Sequence, residues 1–366
     1  MMQKIKCQLE VISNSNHVQQ IYCGLELLAK TNKIQLAQSF DEDSVLYKSN
    51  CQQPSSIHSG GVKLCLNDNI KIYYDINDGE QLDSEGLEWS HFYFKRSFST
   101  LTHSVISNKI KPLDLNYMIK TNHISWLAIE RSWKMSSGLE RIKNVLRECD
   151  IFNKISYLPR LNELYLSPKP EQPFKVLFLC RLWEPTKDDY LTLTNEQIED
   201  RIKINQMRVD CIKALKIEFR DEFVGGLSPT KYALEHFPDI VFNNKNITQK
   251  RNYIASLKQF SVCIATTGLS NSIGWKFGEY IALSKAVVSE KLMFETSGQL
   301  KNGVNYLEFT TAEECVAQVN KLRSDKKTIE KMMQENHNYY LNYLSPQQLI
   351  LNTLNYVISS QTLEKV

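Results

Sequence analysis

The densest run of chemically capable residues is Thr266-Thr267-Gly268-Leu269-Ser270-Asn271-Ser272-Ile273-Gly274-Trp275-Lys276-Phe277-Gly278-Glu279. The apolar run SVCIAT ends at Thr266, and a helical pattern begins near Gly274. The segment therefore reads as a strand, a hydroxyl-rich loop and a helix N-terminus. The N–H groups and dipole of such a terminus suit a phosphate. Gly268 and Gly274 would let backbone approach a ligand, Thr267 and Ser272 bring hydroxyls, and Lys276 adds a point charge. The same serines and threonines would also serve simply to cap a helix. The spacing is not that of a GxxxxGK(S/T) phosphate loop, and no GxGxxG occurs. In the other half of the chain, Lys95-Arg96 closes the apolar run HFYF. Neighbours in a strand point to opposite faces, so regular pairing leaves at most one of the two cations for an anion.

These residues need elements to hold them. Ile5, Cys7, Leu9 and Val11 alternate as in a half-buried strand. Asn16 is placed to cap the next helix with Gln19 as its capping-box partner. Val18, Ile21, Tyr22, Leu25, Leu28 and Ala29 share one face of it. Ile34–Gln38 reads as the following strand, and a β-α-β opening suggests a parallel sheet. VKLCLNDNIKIYYDI reads as two short strands around Asn67–Asn69, HFYFKRSF as another, and 124–152 as mostly helical with a break at Gly138. SPKPEQP at 167–173 carries three prolines in seven residues and reads as a semi-rigid connector. Beyond it come KVLFLC, EFVGG, SVCIAT and AVVSE as strands, KVLFLC apolar enough to be covered on both faces. The helices between them are marked by Thr194 with Gln197, by Ser228-Pro229, by Thr248, and by Thr311 with Glu314. Ser345-Pro346 opens a last one. The expected architecture is α/β, with two Rossmann-like domains facing across a cleft. They span 1–166 and 174–335, followed by a helical segment at 336–366. Ligands of open α/β sheets sit beyond the carboxyl ends of the strands. The chemistry is then expected on the loops at 13–17, 75–80, 95–97, 181–187, 225–228, 266–276 and 289–299.

Composition removes other classes. Hydrophobic residues make 42% and charged residues 23% of 366, so the chain is globular and long enough for two domains. Lys and Arg number 44 against 41 Asp and Glu, a net +3 without basic blocks, which argues against a nucleic-acid partner. Nine cysteines are scattered without metal-ligand spacing, which fits a reducing cytoplasm and no metal site. No apolar run approaches the roughly 18 residues of a membrane span. The start, MMQKIKCQLEVISNSN, lacks the apolar core of a signal peptide.

FGEYIALSKAVVSEKLMFE, followed by LKNGVNYLEFTTAEECVAQVNKL, resembles the C-terminal domain of GT-B glycosyltransferases of the family-4-like, group 1 type. Their pattern runs roughly Glu-Ala-x-Ala-x-Gly-x-Pro-Val-Val, then a Gly-x-x-Tyr/Gly stretch and a capped helix. VLFLCRLWEP resembles the hydrophobic strand and Gly-Arg-Leu of the same superfamily. FVGG, and Tyr253 with Leu257 ahead of SVCIAT, stand in the expected order. The likeness covers residues 175–325, the first half carries no diagnostic motif, and the resemblance implies that the helices after Lys326 return the chain towards the first domain.

The resemblance implies transfer of a sugar, hexosyltransferase-like, from a nucleotide-activated donor to a saccharide or lipid-linked saccharide acceptor, as in polysaccharide biosynthesis. The nucleotide-sugar is a substrate, so no cofactor is expected. Glu279 matches the carboxylate that takes the donor ribose, Arg181 the diphosphate-binding arginine, and Lys187 its companion lysine. Thr267, Gly268, Ser272, Gly274 and Lys276 would complete the donor site. Protein cations would then replace a metal. Two departures stand out: Asn271 where retaining members place the first Glu of Glu-x7-Glu, and Ala282-Leu283-Ser284-Lys285-Ala286-Val287-Val288 for Ala-x-Gly-x-Pro-Val-Val. Glu290 and Glu295, after the next strand, would face the sugar or simply solvent. An inverting transfer needs a base near the acceptor hydroxyl, for which His17, Asp75 and Asp78 are the candidates. Lys95 or Arg96 would neutralise an anionic donor or acceptor. A nucleotide-sugar epimerase and a lapsed nucleotide-sugar-binding scaffold are the alternatives. The expected location is cytoplasmic. A lipid-carried acceptor would fit peripheral attachment at the inner membrane face, although no basic amphipathic helix stands out in the sequence.

Overall fold

The computed structural model describes residues 4–40, 60–150, 158–188, 192–244 and 250–363. Thr248 and the end of the 124–152 stretch lie outside them. Packing divides the chain into two compact units. Unit 1 is Met1–Asn162 with Glu295–Gly298 and Leu341–Val366, and unit 2 is Glu163–Phe294 with Gln299–Tyr340. In chain order unit 1 holds β1 (Ile5–Val11), α1 (Gln19–Lys30), β2 (Ile34–Phe40), β3 (Gly61–Leu66), β4 (Ile70–Asp75), α2 (Ser84–Trp89), β5 (Phe92–Lys95), α3 (Thr100–Ile106), β6 (Ile110–Pro112), α4 (Trp126–Lys134) and α5 (Gly138–Glu148). Unit 2 holds β7 (Val176–Cys180), α6 (Asn195–Phe219), β8 (Phe223–Leu227), α7 (Lys231–His236), α8 (Lys250–Leu257), β9 (Val262–Ala265), α9 (Trp275–Ala282), β10 (Ala286–Glu290), β11 (Leu307–Phe309), α10 (Ala312–Ser324) and α11 (Lys326–Tyr339). The last helix, α12 (Pro346–Leu363), returns to unit 1.

Unit 1 is built on a six-stranded sheet in the order β2-β1-β3-β4-β5-β6. The β-α-β opening is parallel, with Ile5 opposite Ile34 and Val11 opposite Phe40. The sheet as a whole is mixed, because β3 runs antiparallel to both β1 and β4. Asn67 and Asp68 turn β3 into β4 at φ 49° and 65°, the left-handed pair that a tight hairpin requires and that Asn and Asp tolerate. The start of α1 differs from the sequence expectation. Its N-cap is Val18 in helical conformation, with no side-chain cap. Gln19 instead folds back and donates to the Asn14 and Ser15 carbonyls. On α1, Gly24 lies so close to α12 that a Cβ there would stand 2.2 Å from the Pro346 carbonyl oxygen. The closeness lets Leu349, Ile350, Leu354 and Val357 join the core formed by β1, α1, β3 and β4. The Tyr74 and Thr353 hydroxyls hydrogen-bond at 2.8 Å within it.

Unit 2 is wholly parallel, in the order β11-β10-β9-β7-β8. Every residue of β7 and β9 is buried, as continuous apolar runs predict for strands covered on both faces. The Thr194–Gln197 capping box forms at the start of α6, and the Thr311 hydroxyl caps α10. The cap of α7 is Thr230, two residues past Ser228. The proline-rich stretch is tied into unit 2, which explains why the boundary falls before it. Leu166 O accepts from Ser284 Oγ at 2.6 Å, and Gln172 Nε2 donates to Lys258 O at 2.7 Å. Ser284 holds φ 53° at the glycine position of Ala-x-Gly-x-Pro-Val-Val, and its hydroxyl bond to Leu166 offsets part of the cost of that backbone. No helix among the described residues is long and apolar enough to cross a membrane.

Candidate functional site

In unit 2 the chain runs from β7 to β8 on one side and then to β9 on the other, so the strand order reverses between β7 and β9. In a doubly wound sheet the crevice at this reversal is where ligands settle. The loops beginning at Arg181 and Thr266 leave from its two walls. Arg208, on α6, ties them together. Its guanidinium donates to Arg181 O at 2.6 Å, Thr267 O at 2.9 Å and Thr266 Oγ1 at 3.1 Å. Asn205 and Arg201 lie one and two turns before Arg208 on the same side of α6. Arg201 donates to Glu184 O and Lys187 O and pairs with Asp188. Asn205 holds both backbone groups of Trp183. A polar stripe at spacings of four and three therefore shapes the whole 181–188 loop. That stripe was readable in the sequence, but it looks like any solvated helix face until Arg201 and Asn205 prove buried.

The expected donor residues converge here to different degrees. Arg181 is exposed at the crevice, its guanidinium 4.2 Å from the centre of the Trp183 ring. Lys187 is exposed on the same loop and takes part in its hydrogen bonding through its carbonyl. Lys276, in the first turn of α9, donates to Leu179 O at the end of β7, and its ammonium lies 4.8 Å from the Tyr253 ring centre. Burial pushes the Lys276 ammonium down to about 8. Arg181 and Arg208 are likewise lowered, first by burial. Among the described residues none of these three cations is in an ion pair with a carboxylate.

Glu279 is 0% exposed and accepts from Lys250 of α8 through Oε1. Its Oε2 is buried and has no partner among the described residues. A buried acceptor without a donor costs stability, so the atom marks where a donor group from outside would be stabilised. Lys250 was not singled out from the sequence, since it stands in no motif.

The two glycines behave differently. A Cβ on Gly268 would lie 2.6 Å from Ser272 Oγ, and Gly268 N donates to Ser272 O at 2.8 Å, so this glycine and Ser272 close the loop on itself. A Cβ on Gly274 would meet only Thr266 O, at 3.8 Å. Gly274 thus keeps open space at the start of α9 rather than relieving a clash. Thr267 gives both its N–H and its hydroxyl to Glu290 Oε2, at 2.7 and 3.1 Å. Burial raises the Glu290 carboxyl, and the Thr267 bonds pull it back. Asn271 is exposed at φ 57°.

No family model matches the chain, and no curated protein matches it. Solved structures do. The chain is similar to HepE from Anabaena in complex with UDP-glucose, at 10% identity over 96% of this chain and 100% of that one, with a TM-score of 0.45. It is also similar to a glycosyltransferase from Rickettsia africae, at 11% identity over 96% and 97% of the two chains, TM-score 0.45. Half of it, 50%, is similar to the C-terminal domain of the glycosyl transferase group 1 family protein LpcC from Francisella tularensis, which is covered to 96% at 11% identity with a TM-score of 0.35.

In unit 1, three residues chosen separately from the sequence come together at the carboxyl ends of β1, β4 and β5. Arg96 pairs with Asp78 at 2.6 Å. His17 feels both, and its carbonyl accepts from Asn116 Nδ2 at 2.9 Å. Burial, then Arg96, holds the His17 imidazole below its usual range, while Asp78 pulls it upward. A neutral imidazole at pH 7 can accept a proton. Lys95 and Asp75 part from this group. Both are fully buried and paired at 3.1 Å, and Asp75 also accepts from the Tyr93 hydroxyl. The Lys95 charge is matched inside the sheet instead of being offered to an anion, and Asp75 is held from proton transfer in the same way. Glu295 sits in unit 1, where it accepts from Thr100 N and Oγ1 at the start of α3. Asp114, which the sequence did not single out, holds Ser297 and Gly298 through Oδ2.

Proposed function

We propose that the chain is a glycosyltransferase that takes a sugar from a nucleoside-diphosphate donor bound on unit 2. One observation carries the reading. At the strand-order reversal, Arg181, Arg208 and Lys276 gather beside a buried Glu279, and among the described residues the three cations have no carboxylate partner and one Glu279 oxygen is unbonded. Three cations suit a diphosphate by charge and shape. A carboxylate oxygen suits the hydroxyls of a ribose. Stabilisation of the departing diphosphate then rests on protein cations and the α9 N-terminus, and no metal is needed for it. The acceptor, a saccharide or a lipid-linked saccharide, is taken by unit 1, with His17 as base and Asp78 and Arg96 setting its charge. Lys187, exposed on the 181–188 loop, supplies a further cation for the distal phosphate.

A thermal-shift panel of UDP, GDP, ADP, CMP and NAD with EDTA tests the reading. A ligand at about 100 times its Kd stabilises by about 2.7 kcal/mol, a shift of several degrees. A shift with one nucleoside diphosphate in EDTA is the expected result. A flat panel, or a shift that needs added divalent metal, overturns it. Asn271 favours one second reading, a site that binds the donor without turning it over, because an exposed Asn replaces the carboxylate expected there. Donor binding without sugar release or transfer to any acceptor would identify that case.

A further inference from the structure

We propose that Lys285, at the amino end of the unit 2 sheet and away from the donor site, is carbamylated by carbon dioxide, with Lys169 and Lys258 holding the carbamate. Lys285 immediately precedes β10 and is 1% exposed. Its backbone is fixed at both groups. Its N–H donates to Tyr280 O at 3.0 Å, and its carbonyl accepts from Asn336 Nδ2 at 2.7 Å. The side chain is held far less well. Its ammonium reaches only Gln172 Oε1 at 3.4 Å and Lys258 O at 3.5 Å, both at the far limit of a hydrogen bond. The stronger donor to Lys258 O is Gln172 Nε2, at 2.7 Å.

The charges around this amine have the wrong sign for a cation. Lys169 of the connector and Lys258, just after α8, both act against its charge, and Cys263 of β9 is the other titratable group that acts on it. Burial pushes the Cys263 thiol up to about 12, so it stays neutral and supplies no counter-charge. Among the described residues none of the three lysines pairs with a carboxylate, Glu171 on the turn beside Lys169 included. A buried cation left so is costly, and burial lowers the Lys285 amine to about 8. At about pH 7.5 roughly a quarter of such an amine is neutral, against about 0.1% of an ordinary lysine. The same surroundings suit an anion. The free amine attacks the carbon of CO2, the nitrogen loses one proton to solvent, and the product is a carbamate of charge −1. A negative group then stands where two ammonium groups attract it. No oxidant and no leaving group is required. A bulky acyl donor cannot reach an amine that is 1% exposed, whereas CO2 is small and uncharged. Held by Lys169, the carbamate fastens the proline-rich stretch to the sheet.

The test is chemical trapping in the full chain. The protein is equilibrated with carbon-13 bicarbonate at about pH 8, where about half of the amine is free. Triethyloxonium then ethylates any carbamate to a stable ester, and peptide mass spectrometry locates it. Labelled ester on Lys285 at about tenfold or more the level on an exposed lysine such as Lys301 is expected. Lys169→Glu alters an exposed side chain and should keep the wild-type melting temperature. It should cut the labelling about fivefold or more, because it removes a like charge from the amine and a counter-charge from the carbamate. Labelling of Lys285 no higher than that of Lys301 overturns the proposal, as does unchanged labelling in Lys169→Glu. A bicarbonate-dependent rise in melting temperature without trapped product also overturns it, since the three lysines would then hold a free anion with no covalent step.

Discussion

Glu279→Gln separates a ligand-binding carboxylate from a structural one. The substitution keeps the shape and removes the charge. If the unbonded carboxylate oxygen takes the ribose hydroxyls, each bond is of the charged class, about 1.5–3 kcal/mol. The amide keeps one acceptor, so the net loss is about 2–3 kcal/mol, or about 30- to 150-fold in Kd. The fold should lose much less. Lys250 keeps 22% of its side chain exposed and can turn to water when its partner becomes neutral. A cost of about 1 kcal/mol is then expected, rather than the 3–5 kcal/mol of a pair closed on both sides. Isothermal titration with the nucleoside diphosphate found by thermal shift gives the first number, and a melting curve gives the second. A Kd within about twofold of wild type, with a clear fall in melting temperature, would refute the reasoning, because Glu279 would then serve Lys250 alone.

Arg208→Ala should weaken nucleotide binding by about tenfold or more, and Arg208→Lys should recover only part, since an ammonium cannot span three acceptors in a plane; unchanged affinity in the alanine variant would mean that the two loops hold their places unaided. Lys276, lowered by burial to about 8, loses its charge as pH rises through that value, so diphosphate affinity should fall between about pH 7 and pH 9, and Lys276→Arg should remove the dependence. The contribution of the same group to stability runs the other way, since a native value below the unfolded one gives stability that is present above the unfolded value and lost as pH falls through about 8. Asp75→Asn should cost about 3–5 kcal/mol by stranding the buried Lys95, and Lys95→Met in the same chain should restore much of it. Equal melting temperatures for the single and double variants would show that the pair is not the source of the loss.

Most strands were legible because long apolar runs such as VLFLC and AVVSE have few other uses. Chain direction was not. The alternation in VKLCL is the same for a strand running either way, so the reversal of β3 shows only in its pairing. Caps were readable where a hydroxyl and its N3 partner are the best local donor set, as at Thr194. They failed at Asn16, where a turn from Ser15 runs straight into α1 and leaves no cap to fill. In the site, Arg181 and Lys276 were visible through their places after strands, and Glu279 through the family resemblance. Arg208 and Lys250 were not, because each acts across the fold on a residue far away in sequence.

The place of α12 in the core of unit 1 bears on how the protein is made. From the end of α5 at Glu148 to the start of α12 at Pro346 the ribosome must add 198 residues (346 − 148). At about 5–20 residues per second this takes about 10–40 s. Throughout that interval the side of α1 that meets Leu349, Ile350 and Leu354 has no cover from its own chain, while β7 to α11 can already fold beyond it. Unit 1 is thus begun first and closed last, and it is the part of the nascent chain most exposed to chaperones and to misassociation. A circular permutant that places α12 ahead of β1 would let that core close early.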